Sequence, residues 1–113
     1  MAHGDLLDSG RPAGGAYFST YLMLDHATQA CAGPWIDTRG CHTMSVDVSG
    51  LVGGMIVLRG SNTFKAPVGD GHQVGAPLTG DGLARLHMPL RWVRADLIGA
   101  REDSVTVILH ALA

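Results

Sequence analysis

The chain has 113 residues, a net charge of −2 with histidines neutral, 46% hydrophobic and only 16% charged residues. That is one domain with enough apolar content to fold without metal or disulfide staples, which excludes a disordered chain. The eight basic residues are scattered and no apolar run approaches the ~20 residues of a membrane span, which excludes an electrostatic nucleic-acid binder and a helical membrane protein.

Residues 1–15, "MAHGDLLDSGRPAGG", mix Asp, Gly and Pro and read as a flexible, extended N-terminal arm. They lack a basic n-region and an apolar h-region, so the expectation is a protein made and, at least at first, kept in a reducing cytosol. Residues 16–24, "AYFSTYLML", open the folded part, expected over 16–113, with an aromatic-rich strand carrying Tyr17 and Phe18. "DHATQACAG" reads as a loop, and "PWIDTRG" as a short edge segment with Pro34 at its start.

"HTMSVDVSG" alternates cleanly: Met44, Val46 and Val48 face one way, Thr43, Ser45, Asp47 and Ser49 the other. That is the period of a strand with one dry and one wet side. "GMIVLRGS" is the next strand, reached through the tight "GLVGG". Residues 62–82 are rich in Gly, with Pro67 and Pro77 among them and "GDG" at 69–71 and again at 80–82. One Asp between two glycines is turn chemistry rather than a calcium loop, which needs several oxygens at alternating positions. "HQVGAPL" reads as a short strand, "LARLHMP" and "LRWVRADLI" as a strand pair or one bent strand, and "DSVTVILHAL" as a β-branched strand central in a sheet.

No segment has the i, i+3, i+4 periodicity of a long helix. Seven or eight short strands with connections of mixed length predict an all-β, single-domain antiparallel sandwich of jelly-roll or Greek-key type.

On the strand "RWVRADLI", Val93, Ala95 and Leu97 make a core stripe, with Arg91 at its start; Trp92, Arg94 and Asp96 share the opposite face. Arg and Asp are rarely buried without partners, and Trp beside Arg suits a protein–protein hot spot. Trp92 and Arg94, two apart, are placed for a guanidinium–indole contact. Three readings of Trp92 stay open: packing under a loop or the arm, contact with another protein, or a stacking platform for a sugar or base. Trp35 in "GPWID" poses the same choice between core closure and a ligand. The candidate partner interface is Trp92, Arg94, Asp96, Trp35, Tyr17 and Phe18.

Chemistry-bearing patterns are sparse. The six histidines form no H-x3-H or H-E-x-x-H motif, Glu102 is the single glutamate, and neither a nucleophile elbow nor a P-loop occurs. Cys31 and Cys41, followed by His42, lack the four ligands of a zinc site and read mainly as free, mostly buried thiols, a disulfide between them staying open but without a secretory context to support it. A non-enzymatic protein without cofactor or metal is expected.

The order of "PWIDTRG", "TMSVDVSG", "GMIVLRGSN", "RWVRADL" and "SVTVILHAL" resembles small β-sandwich structural proteins of tailed bacteriophages, including capsid decoration (cement) proteins. The resemblance spans residues 34–112 and maps onto Trp35 and Asp37, Gly60 and Ser61, Arg91 to Arg94, and Val105 to Leu109. It implies a virion protein on the capsid surface whose partners are the major capsid protein or other virion subunits, present as a homo-dimer or homo-trimer on the shell. Alternatives are a head–tail or tail component, and a carbohydrate-binding module using Trp35 and Trp92.

Overall fold

A computed structural model describes residues 3–10, 17–39, 41–86, 88–99 and 104–112. Its strands are β1 (Asp5–Gly10), β2 (Phe18–Ala27), β3 (Cys31–Ala32), β4 (Ile36–Asp37), β5 (Thr43–Ser49), β6 (Met55–Ser61), β7 (His72–Gln73), β8 (Gly82–Leu86), β9 (Trp92–Ile98) and β10 (Val105–Leu112). They form two sheets, one in the order β1-β2-β10-β5-β8, the other β3-β9-β6-β7 with β4 also on β9. All the pairings are antiparallel.

Five of those pairings join an early strand to a late one: β2 with β10, β3 with β9, β4 with β9, β5 with β8, and β6 with β7. The chain is therefore one long two-stranded ribbon, turning back between β6 and β7. Rolled up, the ribbon sends successive pairs to alternate sheets, which is the jelly-roll arrangement of an antiparallel sandwich. The Cα radius of gyration is 13.4 Å, close to the roughly 13 Å of a single domain this long.

Alternation fixes what lies between the sheets. Met44, Val46 and Val48 of β5 and Val105, Val107, Leu109 and Ala111 of β10 are buried, as are Ile56 and Leu58 of β6 and Val93, Ala95 and Leu97 of β9. Each fully buried Val, Leu or Ile contributes about 1.5–3 kcal/mol.

Three boundaries differ from expectation. Within residues 1–15, read as an arm, Asp5–Gly10 is a strand paired with β2, so the first sheet begins there; residues 1–2 and 11–16 lie outside the described residues. β2 continues to Ala27, into the stretch expected as loop, because Val105 at the start of β10 pairs with Ala27. β3 and β4 form an interrupted edge along β9: three residues, Gly33 to Trp35, oppose Ala95 and Arg94. Gly33 donates its N–H to the Ala95 carbonyl at 2.9 Å. A Cβ there would sit 2.5 Å from the same oxygen, so only glycine lets the two backbones meet.

Candidate protein interface: a loop clasped to the second sheet

The outward face of β9 carries Trp92, Arg94 and Asp96, and β6 lies beside it in a register that sets Arg59 opposite Arg94. Two like charges directly across a sheet repel. Asp96 resolves the conflict. It accepts from Arg59 Nε at 3.0 Å and from Arg94 through both Nε and Nη2 at 2.8 Å. Arg94 Nη2 also donates to Asp70 at 2.9 Å. The result is a neutral chain of two guanidiniums and two carboxylates.

Arg94 and Asp96 are only 7% and 8% exposed, although they lie on the face turned away from the core. Residues 62–71, between β6 and β7, help cover them. Trp92 Nε1 donates to the Thr63 carbonyl at 3.0 Å, and Trp35 Nε1 to the Gly69 carbonyl at 3.3 Å. The Arg94 guanidinium stacks on Trp35, 5.0 Å from the ring centre. Gly71, at φ 59°, lies so close to Trp35 that an added Cβ would be 2.8 Å from the indole edge. At the near end of the loop, Asn62 accepts from the Arg91 backbone N–H at 2.7 Å and donates to the Pro89 carbonyl at 3.4 Å. Thr63 Oγ1 donates to the Lys65 carbonyl at 2.7 Å.

Arg91 adds a second ion pair. Its Nε and Nη2 meet the two Asp37 oxygens at 2.9 and 3.3 Å, while its Cζ lies 5.5 Å from the Trp92 ring centre. Thr38 braces this corner by donating to the Leu90 and Arg91 carbonyls. The hydrogen bond from Arg91 holds the Asp37 carboxyl below its ordinary 3.8, and the one from Arg94 does the same for Asp70. The bonds to Asp37 and Asp96 push Arg91 and Arg94, respectively, above the usual guanidinium value. All four groups stay charged at neutral pH.

What the clasp leaves in water is the loop tip. Phe64 is 84% exposed and Val68 is completely so. An aromatic and a branched aliphatic side chain stand outside on a loop whose two ends are fastened by hydrogen bonds and an ion pair.

The six residues expected at an interface therefore separate. Trp35, Trp92, Arg94 and Asp96 come together beneath and beside the loop. The expected stacking of Arg94 on Trp92 is replaced by Arg94 on Trp35 and Arg91 on Trp92, the interrupted edge at Gly33 to Trp35 setting Trp35 beside Arg94. Tyr17 and Phe18 lie on the other sheet, at the start of β2. Tyr17 is 61% exposed, and Phe18 packs on the His110 ring with centroids 5.7 Å apart. Sequence reasoning missed Arg59 and Asp70 as partners and Phe64 and Val68 as the exposed tip. The one available signal was the apolar pair Phe64 and Val68 within the turn-rich stretch 62–71.

Two hollows flank this region. One, of about 370 Å³, opens between β1–β2 and β4 and is bordered by Leu6, Tyr21, Trp35, Asp37 and Arg39. The other is an apolar groove beside β7 and β8. Among the described residues no group of three or more His, Cys, Asp or Glu side chains converges as a metal ion would require, and no helix is long and apolar enough to cross a membrane. Cys31 and Cys41 are free and half-buried, and burial raises both thiols above their ordinary value. No family model, curated protein or solved structure matches the chain.

Proposed function

We propose that this protein is a structural subunit that works by being held against other subunits, as a capsid decoration (cement) protein of a tailed bacteriophage is held on its head shell. The observation that carries the reading is the clasped loop. Ordering each backbone residue costs about 1–2 kcal/mol, and exposing Phe64 and Val68 returns none of the hydrophobic gain their burial would bring. A loop ordered in that way is pre-organised for contact, and pre-organisation lowers the entropy lost on binding. The low charge content of the chain points the same way. Many modest contacts, repeated by symmetry over a shell, add up through avidity.

The carbohydrate-binding alternative has less support. Each indole carries a guanidinium near its ring and donates its N–H to a loop carbonyl, so both tryptophans serve the clasp.

The test mixes the purified chain with phage heads assembled without it. The expected result is co-sedimentation with the heads and heads that resist heat better. Phe64→Asp with Val68→Asp should lose binding while keeping the melting temperature within a few degrees. Unchanged binding by that variant, or a Trp emission shift with glycans and none with heads, would contradict the reading.

A further inference from the structure

We propose that the chain pairs with a second copy of itself, each copy seating its Phe64 side chain in the apolar groove beside β7 and β8 of the other. This rests on the reading above and names what the loop tip meets first.

The groove exists because the sandwich is not closed on that side. β7 is only two residues long. The segment after it holds to β6 through Val74 N–H to the Leu58 carbonyl and a single bridge between Ile56 and Leu78, all at 2.8 Å. Beside it lie two adjoining hollows of about 570 and 360 Å³ that share Val74, Gly75 and Met88. Leu58, Leu86 and Leu90 also line the groove, and Arg85 is the one Lys, Arg, Asp or Glu among its described lining residues. A cavity of about 150 Å³ already admits a benzene ring, so a phenyl group fits with room to spare.

The second copy is the occupant because knob and groove share one surface. Thr63 lines the groove, and Phe64 is the next residue. A two-fold axis beside Thr63 brings both tips to both grooves in a single self-complementary contact. Any other partner would have to supply an aromatic knob for the groove and a separate hollow for the tip. Loop and groove lining together comprise twenty-four residues per copy, within the roughly 20–30 per side of a standard stable interface.

Sedimentation equilibrium of the full chain tests this directly. Wild type should be a dimer at micromolar concentration. Phe64→Asp, which removes the knob, and Met88→Lys, which blocks the groove, should each weaken pairing by about 30-fold or more, as expected for a hot-spot contact. An equal mixture of the two variants should recover part of the association, because a mixed dimer keeps one intact seat of two. Neither substitution touches the core, and a melting temperature close to wild type checks that both variants fold. A monomer at about 1 mM, or a dimer indifferent to both substitutions, overturns the proposal. A monomer whose head binding still needs Phe64 places the tip on the shell and leaves the functional reading standing. A Phe64-dependent dimer that ignores heads supports the pairing and ends the functional reading.

Discussion

Asp96 is the residue on which the clasp turns. It lies between Arg59 and Arg94, and its removal leaves two guanidiniums facing each other across adjacent strands with little water to screen them. Asp96→Ala should lower stability by about 3 kcal/mol, a fall in Tm of roughly 10–20 °C in thermal unfolding. Asp70 pairs with the same Arg94 from the exposed side, its own side chain 75% exposed, so Asp70→Asn should leave Tm within a few degrees and loosen the loop instead. Acid acts on the same bonds. Asp37 and Asp70 have folded values below the ordinary 3.8. Groups of that kind contribute stability that is fully present above the unfolded value and is lost as pH falls through the folded one. Stability should therefore hold from neutral pH down to about 4 and decline below it. The chain contains two tryptophans, both in the clasp, so their emission should shift to the red over the same interval.

Among the elements, the loop 62–71 depends on a backbone that bulkier residues resist. Gly71→Ala would add a Cβ 2.7 Å from the Gly60 carbonyl oxygen and 2.8 Å from Trp35, at a φ of 59°. The substitution should red-shift Trp emission and speed amide exchange in the loop while the core strands keep their protection, a pattern visible by mass-detected hydrogen exchange. The strands themselves were legible in the sequence wherever one face is dry. The alternation of Met44, Val46 and Val48 and the core stripe Val93, Ala95 and Leu97 are buried as their spacing requires. The loop's fold was not legible, because its anchors come from elsewhere. Asp70 finds Arg94 twenty-four residues on, and Trp35 finds Gly69 thirty-four residues on. A local pattern carries no information about such pairs, so "GDG" read as turn chemistry alone and the partners of Arg94 stayed unnamed. The strand Asp5–Gly10 escaped notice for a related reason: its Asp, Ser and Gly residues have weak strand preference, and pairing with β2 decides their conformation.

On the scale of the whole molecule, a jelly roll joins its first long strand to its last, with Phe18 opposite Leu112. Such pairings are distant in sequence, so refolding should take milliseconds to seconds, measurable by stopped-flow Trp emission. The same topology brings β6 and β7 to the end of the rolled ribbon, where loop, clasp and groove gather in one region. The two inner faces build stability, while the outer face of the second sheet holds the loop 62–71 in place. The most direct measurement is hydrogen exchange at the two indole N–H groups of the native protein, read as two side-chain peaks by NMR. A loop clasped through Thr63 and Gly69 predicts that both exchange slowly and that Asp70→Asn or Gly71→Ala speeds them. Two indoles exchanging at the rate of free tryptophan in the folded wild type would contradict it.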